Sequence, residues 1–326
     1  MRFALLFVRM LRYRVATMIW LFMLLGAASR AGLDGLSWRH LAAAAALAAT
    51  YVAATTQNDV ADREIDLVNH PRDRGRPLVS GEATVGDLWL VHAIASAAAL
   101  GLGLALGTSA FALVALSLVV SWAYSLRPLR LSYRTYLAHP ALGVAYVAIP
   151  YGLGLEAVQT SPRPGDALFG AALFFLFLAR IVLKDFRDRE GDARFGKPTL
   201  LLRFGKRATC AVSLISLVAG NVLLLAWLRP TVPAGALLEL LVAGVLAMLF
   251  ALLRAEEEHA EQVAIGLGAR LGNGLLISVL AWLALAAGGA AVSERTVVVA
   301  VLVAAFGVGF MTLVTRPEQA VIGYKG

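Results

Sequence analysis

Apolar runs of 17 to 21 residues recur along the chain, separated by short segments that hold most of its charge. About 20 apolar residues in helical form cross the hydrocarbon core of a bilayer. The pattern predicts spans near residues 13–29, 40–57, 87–107, 109–125, 138–157, 167–184, 208–228, 234–253, 271–290 and 295–315. The expected fold is all-α: a polytopic transmembrane helical bundle of nine to ten spans, one of the last two being only partly inserted. The spans are rich in Ala, Gly and Leu, and small residues let helices approach closely in lipid. Pro140, Pro150 and Gly152 fall inside a span, where local breaks can line a cavity. No linker or soluble module interrupts the pattern, so residues 1–326 are read as one membrane domain.

Composition agrees. Hydrophobic residues make up 60% of the 326 and charged residues only 15%, against about half and a quarter in soluble domains. The net charge of +8 suits basic loops beside an anionic leaflet, not a nucleic-acid partner. With the N-terminus placed in the cytoplasm, 23 Lys and Arg fall on the cytoplasmic side and five on the other. That asymmetry follows the positive-inside rule and predicts a multi-pass protein, at home in a cell's inner membrane. The single cysteine, Cys210, excludes an intrachain disulfide and a cysteine-based metal cluster.

Two polar stretches break the apolar pattern with matched chemistry. Asn58-Asp59-Val60-Ala61-Asp62-Arg63-Glu64-Ile65-Asp66 and Lys184-Asp185-Phe186-Arg187-Asp188-Arg189-Glu190-Gly191-Asp192 each carry three aspartates, spaced three and then four apart. On a continuous helix these positions share an arc of roughly 60°. Carboxylates so close repel unless a cation or protons intervene. Four predicted spans separate the motifs, so both fall on the cytoplasmic side, as a weak parallel repeat would place them. Oxygen-only ligands select hard cations, and Mg²⁺ completes its shell with water and phosphate. The five histidines, at 40, 70, 92, 139 and 259, are too scattered for a zinc set. Basic neighbours such as Arg130 and Lys197 suit the remaining phosphate charge. The combination reads as a diphosphate site at the mouth of an apolar cavity, which fits a prenyl diphosphate.

The motifs resemble those of the UbiA-type intramembrane prenyltransferases. Asn58-Asp59-x-x-Asp62-x-x-x-Asp66, followed by Arg76-Pro77-Leu78-Val79-Ser80-Gly81, is similar to the first motif of that family. Asp185-x-x-Asp188-x-x-Gly191-Asp192, running on to Gly196-Lys197-Pro198-Thr199-Leu200, is similar to the second. Tyr124-Ser125-Leu126-Arg127-Pro128-Leu129-Arg130-Leu131 resembles the basic loop between them. The likeness covers roughly residues 10–290. It implies a helical bundle with a central apolar cavity and cytoplasmic cap loops, working with Mg²⁺. Asn58, Asp59, Asp62 and Asp66 would hold one metal ion. Asp185, Asp188 and Asp192 would hold the other or orient the acceptor side. Asp62, Asp66, Asp188 and Asp192 would be catalytic, and Arg130, Arg76, Lys184 and Lys197 would bind diphosphate. Two features depart from the family: Ser132 stands where a second lysine can occur, and ten spans are counted where nine are usual.

The resemblance implies Mg²⁺-dependent transfer of a prenyl group from its diphosphate to a small lipophilic or aromatic acceptor within the bilayer. The alternatives are a terpene cyclase of the same fold, transfer to a non-aromatic acceptor, or a transporter. A transporter would need polar residues deep in several spans, and Arg180 near a span end is almost alone. Of the remaining residues, Arg12 and Arg14 are read as topology signals and Tyr124 as an interface anchor. Arg180 is read as pairing with an aspartate or with diphosphate, His139 as structural, and Glu256, Glu257 and Glu258 as solvated. The first motif is expected to be the stronger metal site, because Lys184 adds positive charge to the second.

Overall fold

The structure, a computed structural model, describes residues 2–31, 35–71, 73, 75–160 and 163–320. Arg72, Arg74 and Lys325, which contribute to the charge asymmetry, lie outside the described residues. Among the described residues the chain is helical throughout, without strands. Its elements are α1 (Arg2–Met10), α2 (Tyr13–Ala31), α3 (Trp38–Ala61), α4 (Arg63–Asn69), α5 (Val85–Leu106), α6 (Thr108–Ser125), α7 (Ala138–Gly143) and α8 (Ile149–Val158). They continue as α9 (Pro164–Ile181), α10 (Arg189–Arg194), α11 (Leu200–Leu228), α12 (Val232–Arg254), α13 (Glu258–Ala287), α14 (Val292–Val314) and α15 (Pro317–Ala320).

Nine described segments are long and apolar enough to cross a membrane. Of the ten predicted spans, the one near 40–57 is missing from that set. It forms α3, a 24-residue helix, but Thr50, Thr55, Thr56, Gln57 and Asn58 make its end too polar to qualify by composition. The predicted 271–290 span is the second half of the longer α13, which begins at Glu258. The predicted 208–228 span is α11 beyond a break at Gly205, whose φ of 79° suits glycine.

Neighbouring spans pack chiefly as α2 on α8, α3 on α5, α9 on α11 and α12 on α13. The α2–α8 contact depends on two glycines. A Cβ on Gly26 would lie 2.3 Å from the Tyr151 carbonyl oxygen, and one on Gly154 2.0 Å from that of Met23. The largest core contains Phe22, Phe169, Leu173, Phe177, Leu224 and Leu238, with Phe169 stacked on Trp227 at 4.0 Å. α14 packs outside α12 and α13 and keeps most of its valine-rich surface exposed.

Two local breaks shape the interior. Pro150 has no N–H to bond the carbonyl of Tyr146, and the turn before it widens to a π-helix over Val144–Ala148. The expected disruption around Pro140 and Pro150 thus turns Ala145 and Tyr146 toward the central cavity. The second break occurs twice. α3 ends and α4 begins at Asp62 (φ −109°, ψ 17°). After a 3₁₀ turn over Val182–Phe186, α10 begins at Asp188 (φ −95°, ψ 9°). The middle aspartate of each motif therefore sits at the same kind of kink, and the short helices that follow, α4 and α10, pack on each other.

Candidate active site

A cavity of about 490 Å³ opens between the two kinks and runs down into the bundle. Its wall changes character along its length. Asn58, Asp62, Asp66, Asp188 and Asp192 line one end with Lys184 and Lys197, while Ile19, Leu47, Val120, Leu142, Phe177 and Ile181 line the other. The sequence places these groups far apart, and the fold brings them around one space.

The kinks sort each trio of aspartates into three positions. The first members, Asp59 and Asp185, are buried and do not line the cavity. Asp59 accepts both its contacts at 2.6 Å from Arg12 and lies 3.4 Å from Arg76. Asp185 lies 3.3 Å from His139 Nε2, and its Oδ2 is buried without a hydrogen-bond partner. The middle members face the cavity. Asp62 accepts from Asn58 Nδ2 at 3.2 Å and from Arg130 at 3.4 Å. Asp188 accepts from Arg187 at 2.9 Å and lies 3.3 Å from His70 Nε2. The third members, Asp66 and Asp192, also line the cavity and each pairs with a later cation. Arg76 donates to Asp66, and Lys197 lies 3.3 Å from Asp192. A single 60° arc for each trio is therefore not what forms, because the helix bends at its middle member. Among the described residues, no three carboxylate, imidazole or thiolate side chains converge on one point.

Burial pushes the Asp66 carboxyl up to about 7; Arg76 opposes the rise, and Asp59 and Asp62 add to it. Burial likewise pushes Asp192 up to about 6, against the pull of Lys197. Burial would also raise Asp188, but Arg187 and the hydrogen bonds from His70 and Arg187 outweigh it and hold it well below the usual range. Of the four carboxylates at that end of the cavity, Asp188 is thus firmly ionised, and Asp66 and Asp192 are two that a cation would help ionise.

The predicted diphosphate ligands divide. Lys197 lies between the motifs, 3.7 Å from Asp62 and 3.3 Å from Asp192, and faces the cavity. Lys184 also faces it and donates to the Tyr124 hydroxyl at 2.9 Å. Arg76 reaches the cavity wall while bridging Asp59 and Asp66. Arg130 does not line the cavity; it stacks on Tyr133 at 3.9 Å and supports Asp62 from behind.

Several contributors carry no local signal in the sequence. Arg12, read as a topology signal, is the main partner of Asp59, 47 residues away. Tyr124 is a cavity residue and not an interface anchor. Arg180, read as pairing with an aspartate or with diphosphate, lines the cavity and donates to Asn273 at 2.6 Å. Asn69 accepts from the Gly191 backbone N–H at 2.7 Å, tying the first motif to the second. Buried Glu261 holds Arg189 at 2.6 Å and Lys206 at 2.8 Å, although Glu256, Glu257 and Glu258 just before it are exposed as expected. His139, read as structural, is buried against Asp185.

Comparison with known proteins finds a family match and structures of similar fold. The sequence model of the UbiA prenyltransferase family matches residues 16–268. The bacteriochlorophyll synthase 33 kDa chain of Cereibacter sphaeroides is 28% identical over 199 residues, which span 59% of this chain and 64% of that one. A digeranylgeranylglyceryl phosphate synthase of Methanopyrus kandleri is 31% identical over 169 residues, spanning 51% of this chain and 58% of that one. The matches thus span less than two thirds of these relatives. A solved digeranylgeranylglyceryl phosphate synthase superposes with a TM-score of 0.66 at 16% identity, covering 87% of this chain and 99% of that one. A UbiA homolog from Archaeoglobus fulgidus, bound to GPP and Mg²⁺, superposes with a TM-score of 0.58 at 16% identity, covering 94% and 99%. At such identity the likeness is one of fold.

Proposed function

The chain belongs to the UbiA prenyltransferase family, and on that premise we propose that it transfers a prenyl group from a prenyl diphosphate to a lipophilic acceptor inside the bilayer, releasing diphosphate. One observation carries the reading. A single cavity has two acidic motifs and two lysines at one end and an apolar wall at the other. A prenyl diphosphate has the same polarity along its length.

Mg²⁺ is the cofactor of this reading, and the donor set suits it. The candidate ligands offer oxygen only. Asp66 and Asp192 are held partly protonated by burial. Asp192 faces the cavity with Lys197 3.3 Å from its Oδ1. Asn58, Asp62 and Asp66 would hold one ion from the cavity wall, and Asp188 and Asp192 a second; Asp59 and Asp185, expected among the ligands, do not line the cavity and would act from behind. When bound, Mg²⁺ neutralises diphosphate charge as the C–O bond breaks. Lys184, Lys197 and Arg76 add fixed positive charge for the leaving group. The apolar wall excludes water, which would otherwise capture the allylic cation. The rings of Tyr51, Tyr146 and Phe177 form an edge-to-face series, at 5.9 and 6.0 Å, along that wall. Such rings stabilise a nearby cation. The acceptor then forms the new bond to the prenyl carbon and loses a proton.

The finer parts of the reading are these. The acceptor is small and aromatic, since a phenol-like ring needs only a cation, positioning and proton removal. A non-aromatic acceptor is the second reading, favoured by relatives named for a glyceryl phosphate lipid and for bacteriochlorophyll. The chain acts as one domain, with its N-terminus and both motif loops in the cytoplasm. Prenyl transfer measured in membranes carrying Asp62→Ala or Asp188→Ala tests the assignment. Activity is expected to fall by roughly a hundredfold or more in each, and near-normal activity in both would overturn it. Supplying the donor without an acceptor separates a cyclase, which would release cyclic hydrocarbon.

A further inference from the structure

Glu261 stands in the first turn of α13 and is buried, although Glu256, Glu257 and Glu258 just before it are exposed. Burying a carboxylate is costly unless cations and hydrogen bonds meet it. Its two oxygens meet cations from different elements. Lys206 of α11 donates to Oε1 at 2.8 Å, and Arg189 of α10 donates to Oε2 at 2.6 Å. Lys206 also donates to the Ala255 carbonyl just past the end of α12. One arm therefore ties α13 to α11 and α12, and the other reaches into the second motif.

The second arm matters because of where Arg189 stands. It directly follows Asp188 and opens α10, the short helix that also carries Asp192. Both aspartates line the cavity. A helix of six residues cannot hold its own position, and Gly196, with φ of 63°, turns the chain away soon after it. Outside contacts must place it. From the first half, Asn69 accepts from the Gly191 N–H at 2.7 Å, and His70 lies 3.3 Å from Asp188. Glu261 takes hold from the C-terminal part of the chain, with the Arg189 guanidinium also lying 5.4 Å from the ring of buried Phe186. The matching arginine of the first motif, Arg63, is exposed. There Arg76 already ties the first and third carboxylates together.

We propose that Glu261 is a positioning residue for the second motif: through Arg189 it sets where Asp188 and Asp192 stand, and with them the affinity of the cavity's polar end for Mg²⁺ and diphosphate. The inference rests on the prenyl-transfer reading and adds to it a residue that lies outside both motifs, 69 positions after Asp192. Without Glu261, α10 keeps its hold on α4 and pivots about the Asn69–Gly191 contact. Its two carboxylates then shift relative to Asn58 and Asp62 across the cavity. Mg²⁺ demands near-ideal geometry and tolerates little displacement of its ligands. A residue that only stabilised the bundle would act alike through either arm.

The test uses the full chain in detergent. Mg²⁺ binding in the presence of inorganic diphosphate is titrated by calorimetry, and unfolding temperatures are taken on the same samples without metal. Glu261→Ala should weaken Mg²⁺ binding roughly tenfold and raise the KM for geranyl diphosphate in step. Arg189→Ala should reproduce the loss, and adding Glu261→Ala to it should cost less than about a further twofold. Lys206→Ala should lower the unfolding temperature but shift Mg²⁺ binding by less than about twofold, since its arm does not reach the groups around the metal. Glu261→Gln keeps an acceptor for Arg189 and should recover most of the affinity. Wild-type affinity in Glu261→Ala, full additivity in the double variant, or a loss in Lys206→Ala equal to that in Arg189→Ala overturns the proposal. Should Glu261→Ala fail to fold, Arg189→Ala against Lys206→Ala decides by the same criterion. If the wild-type chain neither binds Mg²⁺ with diphosphate nor consumes geranyl diphosphate, the prenyl-transfer reading falls and the positioning role with it. If it does both and the Glu261 and Arg189 variants match it, the positioning role alone falls.

Discussion

In the first motif, arginines surround the carboxylates. Arg12 and Arg76 hold Asp59, Arg76 also holds Asp66, and Arg130 supports Asp62. In the second motif an arginine holds only the middle carboxylate, Arg187 on Asp188. Asp185 meets His139 and Asp192 meets Lys197, and Asp185 Oδ2 lacks a hydrogen-bond partner. The backbone beneath both motifs is nevertheless alike, with a kink at the middle aspartate. The identity is also wider than the shared spacing, since Asp62-Arg63-Glu64 is repeated as Asp188-Arg189-Glu190. The difference lies in rigidity. A planar guanidinium that bonds two carboxylates fixes them, whereas a lysine is a flexible point charge. The first motif is built as a preset wall, tied across its first and third carboxylates by Arg76, and the second has no arginine that bridges two of its carboxylates. Lys184 donates to Tyr124 and its charge acts on Asp188 and Asp192, as expected of a cation added to the second motif.

The largest effect that would break this comparison is in stability. Arg76→Ala leaves Asp59 with Arg12 alone and removes the guanidinium that pairs with Asp66; both carboxylates are buried. Breaking a buried ion pair by removing one partner costs about 3–5 kcal/mol. His139→Ala removes one contact from Asp185 and should cost about 1–2 kcal/mol. Thermal unfolding of the two variants in detergent checks the order. Equal losses would mean that the arginine network is no stiffer than the histidine contact.

Much of the fold could be read from the chain before any coordinates. The apolar runs mark the spans, and the basic loops mark the side on which the motifs lie. Asp62, Asp66, Asp188, Asp192, Lys184 and Lys197 do converge on one cavity. Asp59 and Asp185 were misplaced because the spacing argument assumed a continuous helix, whereas each helix bends at the middle aspartate. Arg12, Asn69 and His70 escaped notice for another reason. Their partners are 47, 122 and 118 positions away, and a pairing set by tertiary packing leaves no periodic trace. α3 lost its place among the apolar spans for the same reason that it matters: its last turns carry the polar end of the cavity.

The pH response separates the motifs next. Without divalent cation, Asp66 and Asp192 remain protonated in the folded state up to about 7 and about 6. In the unfolded chain they ionise near 4. Between these values the folded state binds more protons, so stability falls as pH rises. The loss from Asp192 should be complete near pH 6, and that from Asp66 should continue to about pH 7. Asp188 works in the opposite sense, because its carboxyl is held well below the usual range; its contribution is lost only as pH falls below about 4. Unfolding temperatures of the metal-free protein from pH 5 to 8 should therefore decline, for a total of a few kcal/mol at most. Asp66→Asn should flatten the portion between 6 and 7. A stability that rises through that window would show that the third aspartates are already ionised.

The smallest effect concerns the one position at which the repeated pentapeptides differ, Ile65 in the first and Gly191 in the second. Ile65 is buried and lines the cavity. At Gly191 the corresponding space is filled by Asn69, and an added Cβ would stand 2.7 Å from its side-chain atoms. The Gly191 N–H also donates to Asn69 at 2.7 Å. The first half of the molecule thus supplies the side chain that the second half lacks, and the two kinks are joined through it. Gly191→Ala should cost about 2 kcal/mol from overpacking. Asn69→Ala should cost about 1 kcal/mol, since it leaves a buried N–H unbonded. Together the losses should fall short of their sum by about 1 kcal/mol, because the new methyl enters space that the asparagine has vacated. Denaturant or thermal unfolding of the four proteins in the cycle measures that shortfall. Strict additivity would mean that Asn69 and Gly191 do not act as one contact, and that α4 and α10 are held together by their remaining packing alone.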